Sequence, residues 1–245
     1  MSEIRLKLHP RQSLAFLSKA TEILYGGAAG GGKSHLMRVV AIMLCMAVAG
    51  LQVYIFRRVS DDLRKNHLEG SSGLRAMLAS LTDSGHCKFN DTKGIFEFWN
   101  GAKIYLCHCQ HEKDMYKYQG AEIHVLLMDE LTLFTEAIYR FLRGRVRLGG
   151  LNVPSEYKHK LPLVLCGSNP GNIGHVWVKK MFVDYAPPME ITRTPAAEGG
   201  MLRQYIPAKL ADNPTLAAND PDYESRLEGL GNPALVAAMK NGDWD

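Results

Sequence analysis

Long hydrophobic runs are missing from these 245 residues. The longest, Val39 to Ala49, is about half the roughly 20 residues that a bilayer-spanning helix needs, so it reads as a core helix and the chain as one without a membrane. Cysteine is scarce: five residues, an odd number, scattered without a framework, with no C-x-x-C pair and no secretory signal ahead of them. That excludes a disulfide-stapled secreted domain and sets the expectation of a reducing cytoplasm. Strong charge of either sign is lacking as well. A net +4 permits a polyanionic partner without demanding one. An apolar content of 46% excludes disorder and suits one large α/β domain with a small appendage.

Against that background, one stretch is dense in information. Ile23-Leu24-Tyr25 reads as a short apolar strand, and from Gly27 the chain matches G-x-x-x-x-G-K-[ST] in full: Gly27, Ala28, Ala29, Gly30, Gly31, Gly32, Lys33, Ser34. Small residues let successive N–H groups turn inward around phosphates, where a Cβ would crowd them. Lys33 brings a point charge to the β- and γ-phosphates, and the Ser34 hydroxyl is placed for Mg²⁺. From His35 to Ala47 a long buried helix follows, its N-terminus toward the phosphates. Strand, loop and helix in register imply a bound nucleoside triphosphate.

The remaining chain is legible in pieces. Residues 1–20 alternate basic and apolar positions, with a helical run from Ser13 to Ala20. Gln12, just after Pro10, offers an amide donor and acceptor that match the N6 and N7 edge of adenine; a surface glutamine on a first helical turn is the alternative, and the residues leave both open. Gln52 to Phe56 is a second strand, with Arg57 and Arg58 at its C-terminal end, the edge where α/β sheets gather ligands. Asp61 to Leu81 reads as helical, broken at 70–73. Two apolar-aromatic runs, 94–99 and 103–107, flank Asn100-Gly101 and predict an antiparallel hairpin. His86-Cys87, Cys107-His108-Cys109 and His111 gather zinc-type donors, but on a strand Cys107 and Cys109 face away from His108, so reduced core cysteines are expected.

A second motif is Ile123 to Met128, apolar at five of six positions, followed by Asp129-Glu130. Asp129 at such a strand end reaches the Mg²⁺ that Ser34 holds, and Glu130 is the expected base or water-orienting residue. Consecutive acids favour hydrolysis of ATP over transfer to a small acceptor. Thr132 to Arg147 is expected as one helix, with Arg140, Arg143 and Arg147 along one face. Leu161 to Cys166 is a further buried strand, ending in Gly167-Ser168-Asn169-Pro170-Gly171. From Pro187 onward proline and glycine rise, with short strands near Glu190 and Gln204 and two terminal helices. The chain thus divides as a core, 1–186, and a lid, 187–245.

Together these pieces resemble the ATPase domain of the large terminase subunit of tailed phages, over nearly the whole chain. The resemblance rests on Pro10/Gln12, the Gly-rich loop, Phe56-Arg57-Arg58, Tyr118-Gln119-Gly120, Leu126 to Glu130, the arginines 143, 145 and 147, Gly167 to Pro170, and Gly242-Asp243-Trp244. It implies a RecA/ASCE-like P-loop NTPase fold: a mainly parallel sheet flanked by helices, with a hairpin extension and a small C-terminal lid. It further implies an ATP- and Mg²⁺-dependent motor moving double-stranded DNA in the host cytoplasm. Its partners would be the portal protein, the small terminase subunit and copies of itself in a ring, expected as a pentamer. Ser168 and Asn169 would couple hydrolysis to movement. Family members continue into a nuclease; this chain stops at Asp245, and no nuclease activity is expected of it. Some members carry an arginine finger where this sequence offers Lys113 and Lys117, which leaves Arg57, Arg58 and Arg143 as candidates. A helicase- or recombinase-like DNA-dependent ATPase is the rival reading.

Overall fold

The computed structural model describes Ile4 and residues 6–245; part of the alternating N-terminal stretch, residues 1–3 and 5, lies outside the described residues. Nine strands make up a mostly parallel sheet: β1 (Glu22–Gly27), β2 (Gln52–Arg57), β3 (Cys87–Asn90), β4 (Ile95–Phe98), β5 (Lys103–His108), β6 (Val125–Asp129), β7 (Leu163–Ser168), β8 (Thr192–Arg193) and β9 (Leu202–Ala208). Their order is β3-β4-β5-β2-β6-β7-β1-β9-β8. Helices accompany the strands, so the α/β class with a mainly parallel sheet, expected from the sequence, holds. Among the described residues no helix is long and apolar enough to cross a membrane.

The chain separates into two compact units, both discontinuous in sequence. The first comprises Met1–Lys7, Ser34–Asp129 and Ala137–Val164; the second comprises Leu8–Lys33, Glu130–Glu136 and Leu165–Asp245. In the first, β2 lies between β5 and β6 and is parallel to both, with Val53 opposite Ile104 on one side and Val125 on the other. β6 is buried at every position, as an apolar run flanked on both faces must be. The Asn100-Gly101 hairpin is present: β4 and β5 pair antiparallel, with Ile95 opposite Tyr105. Asn100 closes it by accepting from the Ala102 N–H, and its amide donates to the Cys45 carbonyl on helix Lys33–Ala47. β3 extends the meander, a strand the sequence reading did not anticipate. All five cysteines are free and buried.

In the second unit β9 runs parallel to β1 over six residues, Glu22 opposite Arg203 through Gly27 opposite Ala208, and β8 flanks β9 antiparallel. The segment expected as a lid therefore also supplies two strands. Glu22 and Arg203 form a buried ion pair of 2.7 Å, with the guanidinium stacked between Phe182 and Tyr185. Because the two are direct register partners, a one-residue slip would bury two unpaired charges at several kcal/mol each.

One expected element is not there. Residues 132–147 do not form a single helix. A 3-10 turn at Leu131–Leu133 ends at Phe134 in extended backbone, and the helix proper is Glu136–Arg143. Beyond it Gly144 and Arg145 close the last turn, and Val146 bridges Ile123 in parallel. Arg147 thus lies on extended chain, its N–H on the Ile123 carbonyl and its guanidinium on Glu122. The three-arginine ridge does not exist, because the helix ends at Arg143 and the chain beyond it turns to bridge Ile123.

Candidate functional site

The glycine-rich loop belongs to the second unit up to Lys33. β1, buried throughout, delivers it, and the backbone reverses at Gly30 and Gly32, with φ of 74° and 77°. Four of its carbonyls are hydrogen-bonded by side chains. Lys33 Nζ donates to Ala28 O at 2.8 Å, Asn213 Nδ2 to Gly30 O at 2.6 Å, Tyr25 Oη to Gly31 O at 3.0 Å, and Gln12 Nε2 to Gly32 O at 2.8 Å. The N–H groups of Ala28 and Ala29 are used in the same outer frame, on the carbonyls of Ala208 and Met239. The N–H groups of Gly30, Gly31 and Gly32 make no hydrogen bond among the described residues. Across a peptide the N–H points opposite to the preceding C=O. The Ala29 N–H, bound by Met239 O, follows the Ala28 carbonyl that Lys33 holds. The N–H groups of Gly31 and Gly32 follow the carbonyls that Asn213 and Tyr25 hold, and such unspent amides are the donor surface an anion requires.

Side chains complete that cluster. Lys33 is buried and also donates to Asn169 Oδ1, just past β7. Ser168 is fully buried; its hydroxyl accepts from the Thr132 N–H at 3.1 Å and lies 3.0 Å from Thr132 Oγ1, which in turn donates to Asn169 O. Thr132 stands two residues after Glu130 and was not singled out from sequence. Glu130 itself adopts left-handed backbone, φ 57° and ψ 59°, a conformation that costs a residue other than glycine roughly 1–3 kcal/mol. Gln12 is buried, with Oε1 accepting from the His9 N–H at 2.8 Å while Nε2 serves Gly32. One hydrogen and one lone pair of its amide lie outside those two bonds.

The first unit holds a cluster around Asp129, at the end of β6 and wholly buried. Two hydrogen bonds converge on its Oδ2, from Ser34 Oγ at 3.1 Å and His67 Nε2 at 2.9 Å, and Arg57 forms an ion pair with the same oxygen, its Nε at 3.2 Å. His67, on the π-turn Arg64–Leu68, is wholly buried, and its Nδ1 has no hydrogen-bond partner among the described residues. Because the Asp129 carboxylate accepts, His67 Nε2 is the donor of that bond. Arg38 braces the turn by donating to Asn66 O at 2.6 Å; burial lowers its pKa, against the opposing pull of the Asp129 charge. His35 Nε2 donates to Lys7 O at 2.8 Å. Arg57 also reaches Asp62 O at 3.4 Å, and the Arg143 guanidinium sits 5.5 Å from the Tyr139 ring centre. Arg58 is half-buried, just after β2. Sequence reasoning missed His67, since a lone histidine in a short helix carries no motif.

A hydroxyl and a carboxylate, both hard oxygen donors in a protected place, fit a magnesium ion that takes few protein ligands and completes its shell with phosphate and water. The N–H groups of Gly30 to Gly32, with Lys33, fit phosphate oxygens.

No protein-family model matches the chain, and no curated protein does. Solved structures do. The large terminase of a thermophilic bacteriophage superposes with a TM-score of 0.68 at 14% identity, over 97% of this chain and 54% of that one. The ATPase domain of the Thermus phage P74-26 large terminase gives 0.62 at 14%, over 98% and 94%. The large terminase of bacteriophage HK97 gives 0.56 at 12%, over 96% and 50%. The first of these has also been solved with ATP-gamma-S and with ADP. This chain therefore has the fold of large terminase ATPase domains, and it spans about half the length of the full-length terminases it matches.

Proposed function

We propose that this chain is the ATP-hydrolysing motor domain of a viral DNA-packaging terminase. The observation that carries the reading is the loop Gly27–Ser34, with four carbonyls held by side chains and the amides of Gly30 to Gly32 in no hydrogen bond among the described residues. The shared fold with terminase ATPase domains, one of them solved with nucleotide, supports it.

In this reading the amides of Gly30 to Ser34 cradle the phosphates, and Lys33 exchanges Ala28 O and Asn169 Oδ1 for phosphate oxygens. Ser34 and Asp129 would hold Mg²⁺, which when bound draws charge from the β- and γ-phosphate oxygens. His67 and Arg57 keep the Asp129 carboxylate oriented for that task. Glu130 orients the attacking water and takes its proton. Gln12 braces the loop through Gly32, and the free part of its amide is available to adenine. One of Arg57, Arg58 and Arg143 supplies a further cation to the γ-phosphate, a contribution worth roughly 10³–10⁵ in rate. Asn169 touches Lys33 while Ser168 is knitted to Thr132, so movement of Lys33 onto phosphate pulls on the loop after β7, the expected coupling element.

The partners are double-stranded DNA, gripped through its phosphates without base reading, the portal protein, the small terminase subunit, and further copies of the chain in a pentameric ring. The place of action is the host cytoplasm at the prohead, and no nuclease chemistry is assigned to these residues.

The test is phosphate release from Mg-ATP by the full chain, with and without blunt duplex DNA. Hydrolysis that duplex stimulates while leaving it paired is expected, with Lys33→Ala inactive. Strand separation would favour the helicase reading. A parent chain that binds no ATPγS would overturn the proposal.

A further inference from the structure

The last residues of the chain lie against the phosphate loop, backbone to backbone. Helix Pro233–Asn241 ends at Gly242 in left-handed conformation, φ 69°. A Cβ there would fall 2.6 Å from Gly27 C and 2.7 Å from Ala28 N, so only glycine allows this approach. One turn earlier, Met239 O accepts the Ala29 N–H at 2.6 Å. Two residues later, Trp244 is buried, and its ring makes two separate connections. Nε1 donates to Tyr205 Oη at 3.2 Å, and that hydroxyl lies 3.4 Å from Gly26 O, on β1 one residue ahead of the phosphate loop. The indole face stacks on His175, centroids 5.5 Å apart at 29°, and His175 Nδ1 accepts the Gly171 N–H at 2.8 Å, in the loop after β7.

We propose that Trp244 is a positioning residue for the nucleotide's phosphates. It clamps the phosphate loop through Tyr205 and the Ser168–Gly171 loop through His175, so that the two keep one arrangement. Nothing in the ring's burial alone calls for a hydrogen bond and a ring stack that lead to two different segments. A tyrosine hydroxyl that accepts from Nε1 and donates to Gly26 O forms a polarised chain, in which losing the first donor weakens the second bond. The inference rests on the reading of Gly27–Ser34 as an ATP phosphate site. Its consequence is that Trp244 registers phosphate occupancy, and that loosening it weakens nucleotide binding before it affects chemistry.

The experiment uses the full chain and Mg-ATPγS. Of the three tryptophans, Trp99 and Trp177 are replaced by phenylalanine, which leaves Trp244 as the sole indole. Its emission should change along the same isotherm that calorimetry records; flat emission through a measured binding isotherm overturns the inference. Trp244→Phe keeps an aromatic ring against His175 and removes the donor together with part of the indole's volume. Its Kd for Mg-ATPγS should rise about three- to tenfold, the range set by one net hydrogen bond. KM should follow Kd while kcat stays within about twofold. Tyr205→Phe should produce the same rise, and the double variant should bind no worse than either single one, because both break one chain. Unchanged Kd in Trp244→Phe, with a lowered melting temperature or without, assigns the ring to packing and sinks the proposal. If the parent chain itself binds no Mg-ATPγS, the ATP reading fails first and takes this one with it, a result visible before any substitution.

Discussion

The phosphate loop of the second unit and the Asp129 cluster of the first are built on opposite plans. The loop is held by main-chain groups: four of its carbonyls are fixed by side chains, and two of its amides by carbonyls of β9 and of helix Pro233–Asn241. The acid cluster is held by side chains alone, with Ser34, His67 and Arg57 all on one carboxylate oxygen. Main-chain frames depend on backbone conformation and tolerate change in the bracing residues. A side-chain cluster depends on each member, because removing one donor leaves a buried charge short of a partner at roughly 1–3 kcal/mol or more.

The sharpest way to set the two plans apart is to remove one reacting group from each end of the motif pair. Lys33→Ala should abolish turnover and also weaken ATP binding, since it takes a charge from bound phosphates. Glu130→Gln should lower kcat by about 10²–10⁴ and leave binding within a few-fold, as expected of a group acting on water in the transition state. Paired calorimetry and phosphate release check this. Glu130→Gln turning over at the parent rate would remove its assignment as base.

Next in size is His67. Hydrogen-bond partners of metal-holding groups are worth about 10–100-fold in metal affinity, so His67→Ala should raise the Mg²⁺ concentration for half-maximal hydrolysis by that factor. His67→Gln, which restores an N–H donor, should recover part of it. An unaltered Mg²⁺ dependence in His67→Ala would mean the histidine merely fills the core beneath β6.

How much of this was legible in the residues follows the same divide. The glycine-rich loop and the Asp129-Glu130 strand were readable because their chemistry lies in consecutive residues. The hairpin was readable because Asn100-Gly101 dictates a turn and Asn100 closes it with its own side chain. His67, Thr132 and Trp244 were not assigned roles, because each acts across tens of residues or more, and spacing carries no trace of such partners. The failed helix over 132–147 has a local cause. Apolar and basic periodicity continued through Gly144, but hydrogen bonding turned there toward Ile123. β9 was seen as a strand, yet its parallel pairing with β1, some 180 residues earlier, is a property of topology and not of pattern.

Gln12 tests the tolerance of the loop's frame. Its amide donates to Gly32 O, whereas the sequence left adenine contact and a surface position both open. Gln12→Ala should weaken ATP and GTP alike, by about three- to tenfold, if bracing is its whole contribution. A loss confined to ATP would give adenine the larger share of that amide. Equal losses for both nucleotides, measured by competition against a fluorescent analogue, sharpen the contrast between a frame and a reader.

The smallest effect concerns stability and comes from the backbone of Glu130. Its left-handed conformation, φ 57°, is one that alanine finds as costly as glutamate does, while glycine adopts it freely. Replacing Glu130 by either residue removes the carboxylate, so both variants should be equally inactive. They should differ in melting. Glycine loses more entropy on folding, by about 0.5–1 kcal/mol, but escapes a strain of roughly 1–3 kcal/mol, which leaves Glu130→Gly ahead of Glu130→Ala by about 1 kcal/mol. For a chain of this size that is about 2–4 °C in Tm. Strain retained at a residue whose side chain does the chemistry is what a functional constraint would produce, since the turn at Leu131–Leu133 must aim the carboxylate as well as close the chain. If Glu130→Ala melts at or above Glu130→Gly, the surrounding bonds already compensate the conformation, and its position reflects packing of the turn and not the aim of the acid.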